Sequence, residues 1–282
     1  MSNTSKNTQD MTLVLGGTGK TGRRVVERLK ARGVPVRIGS RSAELPFEWQ
    51  DPTTWAPVLQ DVAAVYITYY PDLAVPGAAD TIQTFVDQAV QSKVRRLVLL
   101  SGRGEEEAQR CERIVQDAGV EWTILRASWF CQNFSEAFLR DLVLGGEVAL
   151  PASDVREPFI DAEDIADVAV AALTEPGHAG QLYELTGPRL LTFAETVGEI
   201  ARATGREITY TPISQEAFIS ALTEQDVPAD FVVLLSYLFN EVLDGRNAHL
   251  TDGVRCALGR APRDFTDYVR DANAAGAWQQ QG

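Results

Sequence analysis

Gly16, Gly19 and Gly22 follow the apolar run Met11-Thr12-Leu13-Val14-Leu15 and precede Val25, Val26 and Leu29 at helical spacing. A strand, a glycine-rich turn and a helix in that order present backbone N–H groups and a helix N-terminus to a pyrophosphate. Thr18, Lys20 and Thr21 lie between the glycines and can add hydrogen bonds to the same group. About twenty residues further on, where an NAD-binding unit carries Asp or Glu, this chain has Gly39-Ser40-Arg41-Ser42. A carboxylate there accepts from the ribose 2′-hydroxyl and repels a 2′-phosphate, whereas a guanidinium binds that phosphate through charge-assisted hydrogen bonds. The pattern therefore points to NADP(H), with Ser40, Arg41 and Ser42 on the 2′-phosphate and Thr68 beside the ribose. The competing motif, a nucleotide-triphosphate P-loop ending at Gly19-Lys20-Thr21, needs a glycine where the chain has Val14.

These residues converge only if strands and helices alternate. Residues 34–38, 63–67, 96–100 and 122–125 read as strands, with a weaker one over residues 45–49, and residues 78–92 and 105–118 read as helices. That rhythm predicts an α/β fold with a doubly wound parallel sheet of the Rossmann type, its ligands lying beyond the carboxyl ends of the strands. On this expectation Thr68-Tyr69-Tyr70-Pro71, residues 101–104 and residues 127–134 rim the crevice that the glycine turn opens. After residue 150 the pattern changes. A helix is expected over residues 161–172, strands over 181–186 and 208–211, a capping box at Thr192 and Glu195, and a helical stretch over 214–243. Phe231, Leu234, Leu235, Leu238 and Phe239 of that stretch read as core packing, over the alternatives of a substrate lid or a dimer face, within a small mixed α/β C-terminal substrate subdomain. The expected division is a disordered polar arm over residues 1–10, an NADP-binding domain over 11–150 and a substrate-binding region over 151–282 that returns strands to the sheet.

The 282 residues are 45% apolar, enough for a sizeable core, and the net charge of −13 argues against a protein that coats nucleic acid or an anionic membrane. No apolar run reaches the ~18 residues of a membrane span. Cys111, Cys131 and Cys256 are an odd number without paired spacing, which suits a reduced, cytoplasmic protein. His178, beside Pro176-Gly177, reads as part of a surface turn, and with His249 it makes no metal site.

Four segments in order resemble landmarks of the NmrA-like family of atypical short-chain dehydrogenases/reductases. They are residues 16–22; Leu125-Arg126-Ala127-Ser128-Trp129-Phe130-Cys131-Gln132-Asn133-Phe134; Pro158-Phe159-Ile160-Asp161-Ala162-Glu163-Asp164-Ile165-Ala166; and Tyr183-Glu184-Leu185-Thr186-Gly187-Pro188. The likeness runs from about residue 11 to residue 271. It implies a Rossmann domain that binds NADP(H) and a small C-terminal domain over a substrate cleft. Family members include quinone, triphenylmethane dye and ketone reductases as well as catalytically silent redox-sensing regulators, so fold and cofactor carry over further than activity.

Standard short-chain members use Tyr-x-x-x-Lys, the tyrosine donating a proton and the lysine lowering its pKa. Residues 101–112 contain neither, and the pair would fall on Gly104 and Ala108. Ser101 stands where the wider family has its catalytic serine and is the one weak catalytic candidate. Tyr69, Tyr70, Trp129, Phe130 and Phe134 are aromatic residues expected on loops, and with Asn133 they suit a small flat aromatic or conjugated substrate. Two readings stay open. One is an NADP(H)-dependent reductase passing hydride to a quinone, aromatic or polycyclic ketone or similar acceptor. The other is a non-enzymatic NADP(H) sensor acting through a protein partner. The chain is expected to be a monomer or homodimer.

Overall fold

The structure, a computed structural model, describes residues 10–279. The expected arm over residues 1–10 lies outside them, apart from Asp10. Strand β1 (Met11–Leu15) is buried from Thr12 onward and leads through the glycine turn into α1 (Gly22–Ala31), which buries Val25, Val26 and Leu29 on one face. Gly33 takes a φ of +72°, a conformation open to glycine, and turns the chain into β2 (Val36–Gly39). Asp51 caps a short 3-10 turn at Pro52–Thr54, accepting from Thr53 N at 3.0 Å, and α2 (Trp55–Leu59) follows. Next come β3 (Val62–Ile67), α3 (Ala78–Gln91), β4 (Arg96–Gly102), α4 (Glu106–Gln116) and β5 (Glu121–Ala127). The chain continues through α5 (Asn133–Glu136), α6 (Phe138–Gly145), β6 (Glu147–Leu150), β7 (Arg156–Glu157), α7 (Ala162–Thr174) and β8 (Gln181–Leu185). It ends with β9 (Leu191–Thr192), α8 (Phe193–Thr204), β10 (Thr209–Pro212), α9 (Gln215–Glu224), α10 (Ala229–Tyr237), α11 (Gly253–Leu258) and α12 (Phe265–Ala274).

Six strands form one sheet in the order β2-β1-β3-β4-β5-β8, and the β1–β2, β1–β3 and β3–β4 pairs are parallel. The order reverses between β1 and β3, so the carboxyl ends of these two strands mark the switch point where such sheets bind ligands. This is the expected doubly wound Rossmann-type sheet. Two further two-stranded sheets pair β6 with β10 in parallel and β7 with β9 antiparallel.

The chain divides into two compact units. One comprises the chain up to Ser101, Glu107–Leu125 and Ala166–Leu182; the other comprises Gly102–Glu106, Arg126–Ile165 and the chain from Tyr183 onward. The first has its core in Leu13, Leu15, Val65, Ile67, Leu97 and Leu99 of the sheet and in the rings of Phe47, Trp49, Trp55 and Phe85. The second is centred on Phe134, Phe159, Phe193, Phe239 and Phe265. Among the described residues no helix is long and apolar enough to cross a membrane.

Two expectations, the strand over residues 45–49 and the surface position of His178, are corrected. Residues 45–49 make no strand, only isolated bridges from Ser40 to Pro46 and from Glu48 to Asp51. Phe47 and Trp49 alternate as a strand would because both rings are driven into the core, where Trp49 meets Phe85 edge-on at 5.2 Å. Residues 214–243 are helical as expected, in three pieces: α9 ends at Glu224, α10 starts with Pro228 as its N-cap, and a π-helical turn follows at Leu238–Val242. His178 is buried, and its carbonyl accepts from Thr123 Oγ1 at 2.8 Å. The capping box forms as expected. Thr192 Oγ1 accepts from Glu195 N at 3.1 Å, and Glu195 Oε2 accepts from Thr192 N at 2.8 Å.

Candidate active site

Gly16 closes β1 with a φ of +60°, and a Cβ there would lie 2.4 Å from Thr68 Oγ1. The Thr68 hydroxyl donates to Leu15 O at 3.1 Å and so ties the end of β3 to the end of β1. Gly19 N donates to Gly16 O at 2.8 Å, which winds the turn tight. A Cβ on Gly22 would stand 2.2 Å from that same oxygen, so α1 starts against the backbone of the turn. Arg24 Nη1 donates to Lys20 O at 2.7 Å and holds the outer rim of the turn. The result is a tight turn in which Gly16, Gly19 and Gly22 carry no Cβ, the kind of backbone that close approach to a pyrophosphate requires.

At the end of β2, Ser40 is buried and its Oγ lies 3.5 Å from Ser42 Oγ, at the outer limit of a hydrogen bond. Arg41 is exposed, and its guanidinium carbon sits 5.8 Å from the centre of the Tyr70 ring. Among the described residues no carboxylate pairs with Arg41. A cation propped on an aromatic face keeps its donors for an incoming anion. Tyr69 packs on Trp49 with ring centres 4.8 Å apart, and Trp49 Nε1 donates to Thr68 O at 3.1 Å. The aromatic segment over residues 45–49 thus anchors the loop that carries Thr68, Tyr69 and Tyr70.

Ser101 is the candidate whose chemistry the structure redirects. Its hydroxyl donates to Glu112 Oε1 at 2.6 Å, and both residues are buried. The proton that a substrate carbonyl would need is already given to a carboxylate. Gly104 takes a φ of +78°, and a Cβ there would meet Asn247 Nδ2 at 2.7 Å. Ala108 is fully buried.

In the second unit Phe134 belongs to α5, not to a rim loop. It is fully buried against Phe159, Phe193 and Phe265, with ring centres 5.8–6.0 Å away, and serves the core. Trp129 is half-buried and packs on Phe239 at 5.0 Å and Phe193 at 5.5 Å. Phe130 is half-buried and bridges to Ile160, while Asn133 opens α5.

Sequence reasoning passed over a buried polar group in this unit. Arg103 is 4% exposed, its Nη1 donates to Ser128 Oγ at 3.0 Å, and its Nη2 lies 2.8 Å from His249 Nε2. Glu157 is fully buried and neither carboxyl oxygen has a hydrogen-bond partner among the described residues. Burial raises its pKa from 4.5 to about 7, with the Arg103 charge opposing the shift and Asp244 adding to it. An arginine after a strand end and a carboxylate in a two-residue strand carry no spacing signal that could have exposed them.

The sign of the consequence follows from linkage. With its folded pKa above its unfolded one, Glu157 stabilises fully below the unfolded value and loses that contribution as pH rises through about 7. The difference amounts to about 3 kcal/mol at ~1.4 kcal/mol per pKa unit. In urea titrations Glu157→Gln is expected to be more stable than wild type by about that amount at pH 8 and to converge with it near pH 4.5. Parallel profiles would show that the carboxyl does not titrate in this window.

Comparison with known proteins places this geometry. An NAD(P)H-binding family model matches residues 16–176, and the NmrA-like family model matches residues 106–249. Agroclavine dehydrogenase of Claviceps fusiformis is 32% identical over 93% of this chain and 97% of its own. Among solved structures, the NADPH-dependent quinone oxidoreductase of Escherichia coli, complexed with NADPH, superposes with a TM-score of 0.75 at 20% identity, covering 93% of this chain and 99% of its own. The triphenylmethane reductase of Citrobacter sp., complexed with NADP(H), gives 0.73 at 18% identity over the same shares. At those identities the two structures establish the fold. The chain belongs to the NmrA-like family of atypical short-chain dehydrogenases/reductases and is an NAD(P)H-dependent oxidoreductase.

Proposed function

We propose that the protein is an NADP(H)-dependent reductase that delivers hydride to a quinone, an aromatic or polycyclic ketone, or a similar conjugated acceptor, without a Tyr-x-x-x-Lys pair. The observation that carries this reading is that Gly104 and Ala108 stand where the Tyr-x-x-x-Lys pair would fall, and that Gly104 holds a φ of +78°, a backbone conformation that disfavours a side chain. An acceptor whose added charge spreads over a conjugated ring needs less help from a protein acid. The relatives named for agroclavine, quinone and triphenylmethane chemistry fit an acceptor of this class.

The division of labour follows from the residues. The turn built on Gly16, Gly19 and Gly22, with Thr18, Lys20 and Thr21, binds the pyrophosphate; Ser40, Arg41 and Ser42 bind the 2′-phosphate; Thr68 faces the ribose. Tyr69 and Tyr70 supply ring surface on the first unit. Trp129, Phe130 and Asn133 are the substrate contacts of the second. The bound cofactor supplies the hydride, and the chain's own task is to hold donor and acceptor in line.

The test is NADPH consumption at 340 nm across a panel of quinones and polycyclic ketones. Turnover with at least one of them is expected. Tight NADPH binding with no turnover across the panel would overturn the reductase reading in favour of a sensor.

A further inference from the structure

Arg41 follows β2 and Tyr70 follows β3, and β1 lies between those two parallel strands in the first unit. The two side chains therefore meet across the carboxyl end of β1, where the glycine turn begins. The guanidinium carbon of Arg41 lies 5.8 Å from the centre of the Tyr70 ring, within the ~6 Å at which a cation is drawn to an aromatic face. Tyr70 is 57% exposed, so burial in the core does not account for its ring. One aromatic segment braces both partners. Phe47 N donates to Ser40 O at 3.1 Å and Ser40 bridges to Pro46, which closes the turn that carries Arg41. Two residues on, Trp49 Nε1 donates to Thr68 O at 3.1 Å and the Trp49 ring packs on Tyr69 at 4.8 Å, which fixes the start of the loop that carries Tyr70. The rings of Phe47 and Trp49 are buried and 5.0 Å apart. Buried rings thus set the spacing between two exposed side chains.

We propose that Tyr70 is a positioning residue for cofactor selection: its ring holds the Arg41 guanidinium ready for the 2′-phosphate and so raises the preference for NADPH over NADH. This rests on the assignment of Arg41 to that phosphate. An exposed arginine samples many rotamers, and a phosphate that captures it must offset the freedom lost. A ring that already confines the guanidinium lowers that cost before the cofactor arrives. A carboxylate would confine it too, but would claim its N–H donors and cancel the charge that the phosphate needs. The face of an aromatic ring attracts the charge through its quadrupole and offers no carboxylate oxygen to those donors. NADH carries a hydroxyl where NADPH carries the phosphate, so the contact has nothing to add to NADH binding.

Calorimetric titration of the full chain with NADPH and with NADH, in the absence of any acceptor, supplies the test. Tyr70→Leu, which keeps apolar bulk without a ring face, is expected to lower the NADPH-to-NADH affinity ratio about two- to fivefold, the worth of a cation–π contact at an exposed site. The loss is expected to fall on NADPH alone. Tyr70→Phe keeps the ring and is expected to keep the wild-type ratio. In an Arg41→Leu background Tyr70→Leu is expected to leave the ratio as it stands, because the ring acts only through the guanidinium. A change of less than about twofold in Tyr70→Leu, an equal loss of both dinucleotides, or a loss in Tyr70→Phe as large as in Tyr70→Leu would overturn the proposal. So would a further fall of the ratio in the double variant. Wild type without a preference for NADPH, or Arg41→Leu that retains it, would remove Arg41 from the phosphate and this proposal with it. A clear Arg41→Leu effect beside a silent Tyr70→Leu would overturn the proposal alone.

Discussion

Gly22→Ala is expected to weaken NADPH binding by at least about 100-fold, equivalent to about 2.7 kcal/mol. The added Cβ would stand 2.2 Å from Gly16 O, 2.7 Å from Gly16 C and 3.0 Å from Gly17 Cα. All three are backbone atoms, so no rotamer relieves the clash and the turn itself must open. Opening it pulls Gly16 O away from Gly19 N, 2.8 Å distant, and displaces the start of α1 from the end of β1. The N–H groups proposed to bind the pyrophosphate then no longer converge. Gly33→Ala is the matched control. Its φ of +72° makes alanine cost about 1 kcal/mol of stability, but nothing lies within 4 Å of the new Cβ, so affinity is expected to stay the same. Fluorescence titration with NADPH separates the two, and equal affinities in both variants would show that the turn tolerates a side chain.

Asp164→Ala is expected to cost about 3–5 kcal/mol of stability. The carboxylate is fully buried at the start of α7. Its Oδ2 accepts from Arg263 N at 2.7 Å, and its Oδ1 pairs with the guanidinium of Arg263 and, at 2.7 Å, with Arg260. Removing it strands a backbone N–H and leaves two arginines, each a little over one-third exposed, without their shared anion. Asp164→Asn keeps the shape and an acceptor for the N–H, and is expected to lose roughly half as much. Urea midpoints decide it. A loss below about 1 kcal/mol in Asp164→Ala would mean that the buried anion is balanced elsewhere.

How much of this was legible in the sequence depends on whether backbone or side-chain contacts do the work. The glycine turn was readable because Gly16, Gly19 and Gly22 are placed by backbone geometry, which the chain writes locally. The same holds for Thr192 and Glu195, whose capping box closes within four residues. Residues 45–49 misled because Phe47 and Trp49 alternate for the sake of a ring cluster, not a pleat. Phe134 looked like a loop aromatic because the helix that buries it is four residues long, too short to show a period. The polar group around Arg103 includes Asn247 and His249, 144 and 146 positions away along the chain, so nothing local announces it. Ser101 was placed correctly at the end of its strand, but its partner Glu112 decides its chemistry, and that contact is tertiary.

The central claim is that the first unit holds NADP(H) and selects it through Arg41. Its most direct test is titration of wild type and Arg41→Glu with both NADPH and NADH. Wild type is expected to bind NADPH at least about 30-fold more tightly than NADH, a difference of about 2 kcal/mol, as for a charge-assisted phosphate contact. Arg41→Glu is expected to lose that preference while changing NADH affinity by less than about threefold. Equal binding of the two dinucleotides by wild type, or equal losses for both in Arg41→Glu, would contradict the account.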